Sequence, residues 1–176
     1  ISNQRETTLF WDKETNEPIS DAIVWQCSRA ADICERPEIK DAAEKIREKT
    51  GLRLSPYFPA AKMTWLLENT EQGQELTKAH RLCFGTIDTW LVYRLTKGQD
   101  YKTDYSNASR TQLFNIFTLK WDEEICRLFG IQVEDLPQVC DSDSEFGQTD
   151  FEGFFEKPIP IHAVLGDSHG ALFGQG

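Results

Sequence analysis

The sequence contains no long hydrophobic run, because no apolar stretch approaches the roughly 18–20 residues that a bilayer-spanning helix needs. It also lacks any block of Lys or Arg, and its 19 basic and 29 acidic side chains give a formal charge of −10. A chain this acidic is a poor partner for nucleic acid or an anionic lipid surface. We therefore expect neither a membrane span nor a nucleic-acid ligand. Any phosphorylated ligand would have to be held by local backbone dipoles or a metal ion.

The cysteines offer no framework for disulfides or zinc. There are five, an odd number, and no C-x-x-C pair is present. Free, buried thiols in a reducing compartment fit this pattern, so we expect a cytoplasmic protein. The first residues carry no initiator Met and no basic, signal-like segment, as in a chain entered within a domain.

The size and composition are those of one folded domain. With 176 residues, 39% hydrophobic and 27% charged, the chain is neither disordered nor collagen-like. No linker, repeat or low-complexity tract interrupts it, so we place no domain boundary within 1–176.

The hydrophobic pattern predicts a mixture of strands and helices. The segments 7–11 and 22–25 are β-branched and aromatic and flank a run of turn formers, which predicts a β-hairpin. Helices are predicted over 28–35 (ended by Pro37), 39–46 (with Gly51 as its C-cap), 60–69, 86–95 (N-capped by Thr86, ended by Gly98) and 121–129 (stopped by Gly130). Residues 159–165 read as a strand covered on both faces, with a helix beginning near His169. This order indicates an α/β fold.

Asp167 is the most informative candidate for chemistry. It follows that strand through Gly166, which places a carboxylate at the carboxyl edge of a sheet, where ligands of open α/β sheets gather. An ionised Asp accepts a proton or holds a metal ion. The alternative is that Asp167 only caps the following helix, and the local sequence alone favours that commoner role.

Arg5 and Glu6, just before the first strand, suit recognition of a small polyol. Arg supplies a rigid fork of hydrogen-bond donors and Glu supplies paired acceptors. Trp25 offers a flat apolar face and Tyr57 a hydroxyl. Taken singly, each has a plainer explanation: a solvated ion pair, core packing or a loop anchor.

Long segments of the chain resemble one enzyme family in order. They are residues 2–8, 23–27, 56–58, 84–90, 103–111, 113–116, 136–137, 166–167 and 171–175. Together they cover essentially the whole chain and resemble the FGGY family of sugar kinases, and within it the glycerol kinases. The resemblance implies part of the first lobe of a ribonuclease H-like ATPase fold, of the actin and hexokinase type.

The resemblance also implies an activity and roles for the candidate residues. A parent enzyme would transfer the γ-phosphate of ATP to glycerol with Mg²⁺, giving sn-glycerol 3-phosphate, and would be a homodimer or homotetramer. Residues matching Arg5, Glu6, Tyr57 and Asp167 hydrogen-bond glycerol in that family, and the residue matching Trp25 packs against its carbon side. Asp167 matches the catalytic base and a metal ligand. The resemblance therefore favours a chemical role for Asp167 over helix capping.

The sequence departs from the family pattern at three places. Ser168, placed in the substrate site, stands where the family usually has Gln. The loop 151–156 lacks both the Gly-rich Thr-Arg pattern of a sugar-bisphosphate inhibitor site and the His phosphorylated in some members. The phosphate-binding hairpin with its metal-binding Asp, and the whole ATP lobe, are expected to lie outside 1–176, so these residues alone should be inactive.

Three other functions remain open on the sequence. A related FGGY kinase would act on another polyol or a pentulose. A GDS-type esterase would use Ser168 as nucleophile, although only eight residues follow it and His169 is too near in sequence to reach back as a base. A non-catalytic polyol-binding module would bind without transferring phosphate.

Overall fold

The computed structural model describes residues 1–176 as a mixture of short strands and helices. The strands are β1 Ser2–Asn3, β2 Thr8–Asp12, β3 Leu82–Thr86, β4 Lys102–Asp104, β5 Phe114–Asn115, β6 Lys120–Trp121, β7 Gln138–Cys140, β8 Gln148–Thr149, β9 Ile159–Pro160 and β10 Leu165–Gly166. The helices are α1 Ala31–Cys34, α2 Pro37–Asp41, α3 Ala43–Thr50, α4 Pro59–Asn69, α5 Glu71–Lys78, α6 Ile87–Leu95, α7 Tyr105–Ala108, α8 Glu123–Leu128 and α9 Asp167–Gln175, with a 3₁₀ turn at Val133–Asp135.

The strands pair two by two, and the parallel pairs join distant parts of the chain. β1 runs parallel to β10, and β4 runs parallel to β7. The pairs β2–β3, β5–β6 and β8–β9 are antiparallel. Parallel strands separated by helical segments are the mark of an α/β fold, which confirms the fold class expected from the sequence.

The β2–β3 pair separates two apolar clusters. All five residues of each strand are buried. Since side chains alternate along a strand, Phe10 and Phe84 face the main core beneath α1–α4, whereas Trp11 packs with Tyr93 of α6. The rings of Trp11 and Tyr93 are 5.3 Å apart. Helices therefore cover both faces of this pair.

Several predicted helices are confirmed. α4 begins with Pro59 at its first position and buries Met63 and Leu66. Gly51 caps α3 in the left-handed conformation, with φ of +73°. α8 ends shortly before Gly130, whose φ is +69°.

Other helix boundaries differ from the prediction. The first helix shortens to α1, and Pro37 begins α2, where its missing N–H costs nothing. The chain bends at Ala42, so the helix predicted over 39–46 is split between α2 and α3. α6 buries Val92 and Tyr93, whereas Leu91 is exposed. α5 was missed because Leu76 is its one large apolar residue and Gly73 lies inside it.

The predicted hairpin between 7–11 and 22–25 forms only in part. The ladder partner of β2 is β3, and the returning chain adds two isolated antiparallel bridges, from Ile23 to Thr8 and from Pro18 to Trp11. Ile23 is buried, but Val24 and Trp25 are exposed. The longer ladder forms between β2 and β3 because the apolar β3 is covered by helices on both faces. This tertiary packing has more influence than the nearness of 22–25 to β2 in the sequence.

The continuous strand predicted over 159–165 is also wrong. Only its two ends are strands, β9 and β10, and residues 161–164 are irregular. Ile159 is 44% exposed, so the segment is not covered on both faces. Pro160 has no N–H to extend a ladder. The helix that follows begins at Asp167 rather than near His169.

No helix combines the length and the apolar composition needed to cross a bilayer.

The β1–β10 pair brings the first residues of the chain against Gly166. Asn3 lies opposite Gly166 in the register, and the Arg5 side chain crosses directly over the glycine. A Cβ atom at position 166 would lie 2.3 Å from Arg5 Cδ and 2.9 Å from Arg5 Cγ. Only glycine leaves room for the arginine here.

Gly166→Ala should displace Arg5 and lower the free energy of unfolding by about 1–3 kcal/mol, the range for overpacking. The backbone itself accepts alanine, since φ is −60° and ψ is 143°. Urea unfolding of the 176-residue chain measures the loss. The matched control is Gly174→Ala in the same segment, where an added Cβ meets no atom within 4 Å. Equal effects of the two substitutions would contradict the steric argument.

Asp135 is a buried carboxylate without full hydrogen bonding. Asp135 is 2% exposed, and its Oδ2 atom has no hydrogen-bond partner. Burial raises the pKa of Asp135 to about 6. In the unfolded chain the carboxyl group loses its proton near pH 4. The free energy of unfolding is therefore unaffected by this group below about pH 4, falls as the pH rises to about 6 and is constant above that.

Asp135→Asn should therefore be more stable than the wild type by about 1–3 kcal/mol at pH 7, and this difference should be largely lost at pH 4. Urea unfolding at the two pH values measures this change. Asp143→Asn removes the same charge from an exposed position and should change stability by less than about 0.5 kcal/mol at either pH. A gain for Asp135→Asn that does not depend on pH would contradict the assignment.

Candidate active site

One cleft gathers all six site residues named from the sequence. Its volume is about 210 Å³. It is lined by Gln4, Arg5, Glu6, Trp25, Tyr57, Arg110, Asp167 and Ser168. These residues come from five separate parts of the chain, so the fold, and not sequence proximity, assembles the cleft.

Arg5 forms one end of the cleft through its guanidinium. Its Nη1 atom lies 3.0 Å from Nδ1 of His169, and its Nη2 donates to Ser168 Oγ at 3.5 Å. The Nε atom is buried and has no hydrogen-bond partner in the chain. The arginine thus reaches α9 while part of its donor capacity is unused.

Glu6 is held in a fixed orientation by Arg110. Glu6 is 5% exposed, and its Oε1 atom accepts from Arg110 Nε at 2.8 Å. The Arg110 guanidinium lies over the Phe58 ring, 4.9 Å from its centroid. Glu6 Oε2 makes no hydrogen bond within the chain and is therefore free to accept one from a ligand.

Trp25 and Tyr57 form an aromatic wall. Their rings meet edge to face with centroids 5.7 Å apart. Trp25 is 40% exposed, so its face is accessible from the cleft. The Tyr57 hydroxyl has no hydrogen-bond partner in the chain, because only the backbone of Tyr57 is bonded. The wall combines apolar faces with one unused hydroxyl.

Asp167 is an exposed carboxylate in the first turn of α9. The helix N-cap is Gly166, so Asp167 lies at the first helical position and not at the N-cap. Its Oδ1 atom accepts from Ser168 N at 2.7 Å and from Ser168 Oγ at 3.3 Å. The helix N-terminus favours a negative charge here. The second carboxylate oxygen is left without a partner.

Ser168 is not arranged as an esterase nucleophile. Its hydroxyl lies between Asp167 and Arg5, and no histidine nitrogen is within hydrogen-bond distance of it. His169 faces Arg5 instead. A serine without a histidine base lacks the means of activation that the triad mechanism needs.

A buried polar network fixes the strand end that carries Asp167. Gly166 N donates to Ser106 Oγ at 2.8 Å. Asp104 accepts from the backbone N–H groups of Ser106 and Asn107, which fixes α7. Asn107 Oδ1 in turn accepts from Asn3 Nδ2 at 3.0 Å, which attaches β1. The segments that immediately precede Arg5 and Asp167 are therefore anchored by buried hydrogen bonds.

Asp88 completes this network at the base of α6. Its two oxygens accept from Thr86 Oγ1 at 2.5 Å and Thr103 Oγ1 at 2.6 Å. Burial raises the pKa of Asp88 to about 6, against the hydrogen bonds from these hydroxyls, which lower it. Hydroxyl donors thus stabilise a carboxylate that has no cationic partner.

Two residues of the site were missed by the sequence reasoning. Arg110 lies in the segment 103–111, which carried part of the family resemblance. A charged side chain within that segment was the signal that could have identified it. Lys62 in α4 lies next to Glu6 and Tyr57 and is fully buried. No sequence signal marks a lysine as buried.

The cleft contains no ready-made metal cage. No three His, Cys, Asp or Glu side chains converge in an arrangement that would hold a metal ion. Within the cleft Glu6 is paired with Arg110, so Asp167 supplies the one carboxylate without a cationic partner. A single carboxylate fits Mg²⁺, which commonly keeps several waters and takes its other ligands from substrate phosphates.

Sequence comparison relates nearly the whole chain to one family. The profile of the FGGY family of carbohydrate kinases, N-terminal domain, matches residues 1–174. Glycerol kinase 1 of Thermotoga maritima is 51% identical over 176 residues, and glycerol kinase of Carboxydothermus hydrogenoformans is 50% identical over 175. These alignments cover 100% and 99% of this chain but 36% and 35% of the relatives. The chain thus spans about a third of their length.

Solved structures agree on the fold. A crystal structure of Plasmodium falciparum glycerol kinase with ADP superimposes with a TM-score of 0.93 at 38% identity, covering 99% of this chain and 35% of that one. Xylulose kinase from Lactobacillus acidophilus gives a TM-score of 0.81 at 23% identity, covering 98% and 35%. These neighbours confirm the actin- and hexokinase-like ATPase fold expected from the sequence. With a match to 174 of its 176 residues, the chain belongs to the FGGY family of carbohydrate kinases.

Proposed function

We propose that this chain is the glycerol-binding part of a glycerol kinase. The complete enzyme would transfer the γ-phosphate of ATP to glycerol, giving sn-glycerol 3-phosphate, the first step of glycerol use. The observation that carries the proposal is the cleft itself, which combines a donor fork, an acceptor carboxylate, an aromatic wall and a free carboxylate. Relatives about 50% identical over the whole chain, which are glycerol kinases, support the choice of substrate.

Each residue of the cleft has a role suited to a small uncharged triol. Arg5 donates to glycerol oxygens, and Glu6 accepts from a hydroxyl through its free oxygen. Tyr57 offers its unpartnered hydroxyl, while the face of Trp25 contacts the carbon side. Ser168, with a short side chain, adds a hydroxyl near Arg5 and Asp167.

Asp167 acts as the catalytic base in this proposal. Its unpartnered oxygen accepts the proton from the attacking glycerol hydroxyl as the phosphoryl group is transferred. In phosphoryl transfer the protein contributes mainly positioning and charge stabilisation, and the anchored backbone around Gly166 provides the positioning. Asp167 thus both orients the attacking hydroxyl and accepts its proton.

The nucleotide and the metal would be held largely by other parts of the enzyme. In the proposal residues 1–176 are part of the N-terminal lobe, while the phosphate-binding hairpin and the ATP lobe lie outside them. The ADP in the P. falciparum structure supports ATP as phosphoryl donor. Mg²⁺ would neutralise charge on the transferring phosphate, and Asp167 is the carboxylate of this chain that would contact it or its waters.

Two further expectations belong to the same proposal. All five cysteines are free thiols, three of them buried, which supports a reducing compartment such as the cytoplasm. A homodimeric or homotetrameric enzyme is proposed on the family resemblance alone, because the exposed apolar side chains, among them Phe154 and Phe173, are equally suited to contact with the remaining lobe of the same enzyme.

Asp167→Asn in the full-length enzyme should lower kcat for glycerol by about 100-fold to 10,000-fold, because an amide cannot accept the proton. The KM for glycerol should change much less. Coupled measurement of glycerol-dependent ADP production gives both constants. Asp143→Asn, which removes an exposed charge away from the cleft, is the control. A kcat for Asp167→Asn near that of the wild type would refute the assignment of the base.

The wild-type full-length enzyme should phosphorylate glycerol far faster than pentuloses or gluconate under the same conditions, since the cleft is small and its relatives are glycerol kinases. Side-by-side turnover measurements test this. Residues 1–176 alone should give no glycerol-dependent ADP. Faster turnover of a pentulose would assign the enzyme to another substrate, and turnover by the 176 residues alone would contradict the placement of the ATP lobe outside them.

A further inference from the structure

Lys62 is the only lysine with no exposed surface. It lies in the first turns of α4, directly beneath the cleft, but does not line it. Lysine is among the residues least often fully buried, because its ammonium loses its hydration. A buried lysine therefore needs a specific arrangement of acceptors.

The acceptors of Lys62 are two backbone carbonyls from separate segments that line the cleft. Its Nζ atom donates to the carbonyl oxygen of Glu6 at 3.2 Å and also to the carbonyl oxygen of Tyr57. The same ammonium lies 5.8 Å from the centroid of the Tyr57 ring. One side chain thus joins the segment after β1 to the loop before α4.

The charge on Lys62 makes this connection stronger than a neutral donor would. Burial lowers the pKa of Lys62 to about 8, while the nearby charges of Glu6 and Cys27 act in the opposite direction. The amine is therefore mostly protonated near pH 7. Hydrogen bonds from an ionised donor are about twice as strong as neutral ones, and the low dielectric beneath the cleft adds to this.

We propose that Lys62 is a positioning residue, which holds the backbone of Glu6 and of Tyr57 at the separation that the polyol requires. The inference rests on the proposed function for the identity of the polyol. Lys62 itself touches no ligand. Its substitution would let the acceptor carboxylate and the aromatic wall move independently, which weakens substrate binding more than it slows the chemical step at Asp167.

The test compares Lys62→Met and Lys62→Gln in the full-length enzyme. Methionine keeps the length and apolar stem but donates nothing, whereas the glutamine amide keeps two donors without a charge. We expect the KM for glycerol to rise about 10-fold to 100-fold in Lys62→Met and to a smaller extent in Lys62→Gln. The kcat should stay within about threefold and the KM for ATP should be unchanged, since the nucleotide is bound elsewhere.

A merely structural role would give a different pattern. General destabilisation would lower the melting temperature and the active fraction, and it would not move one KM alone. Lys40→Met is the matched control, because Lys40 is exposed and pairs only with Glu35 on the surface. It should leave all constants unchanged. If Lys62→Met does not fold, Lys62→Gln decides, and a glycerol KM within twofold of wild type would overturn the proposal.

Failure of the proposed function can be told apart from failure of this inference. If the wild-type enzyme turns over another polyol and not glycerol, the function is wrong, and the same variants are compared on that polyol. Lys62 fails as a positioning residue when the KM for the polyol that the enzyme uses is unchanged in its variants. It also fails if the KM for ATP rises in parallel.

Discussion

The site depends on the pairing of two very short strands, β1 and β10. Ser2 and Asn3 lie opposite Leu165 and Gly166, and this register alone brings Arg5 and Glu6 beside Asp167. A ladder with two residues in each strand has little stability of its own. Pairing β1 with β10 also closes almost the whole chain into a loop, which has an entropic cost. The pair persists because buried side chains hold it. Asn3 is bonded to Asn107, and Gly166 N is bonded to Ser106.

Two buried carboxylates show how differently this interior treats negative charge. Asp88 accepts hydrogen bonds from two threonine hydroxyls, so its burial serves the network that supports the cleft. Asp135 has an oxygen without a partner, and its burial is a cost to stability. Lys62 is the cationic counterpart, with both of its acceptors supplied by the backbone. The two aspartates thus differ in whether the surrounding groups meet the hydrogen-bonding capacity of a buried carboxylate.

The sequence was sufficient for the fold class and for the six residues that one cleft brings together, and insufficient for the pairing of strands. Asp167 after Gly166 is a local signal, since a carboxylate that follows a strand is read from consecutive residues. The partner of β2 is a long-range choice among apolar segments, which local β-propensity does not decide. Burial of Lys62 and the pairing of Glu6 with Arg110 depend on tertiary contacts, which no periodicity records. The family resemblance placed the cleft residues, but it did not identify what supports them.

The close packing of Arg5 on Gly166 also separates the parts of the cleft that can change from those that cannot. A side chain at 166 and the arginine at 5 compete for one volume, so these two positions are joined in any redesign. The Ser168 hydroxyl makes only long contacts, to Asp167 at 3.3 Å and to Arg5 at 3.5 Å, so its size is not fixed by close packing. A library that seeks longer or shorter sugars would therefore diversify position 168 and the aromatic wall while keeping the glycine–arginine contact constant.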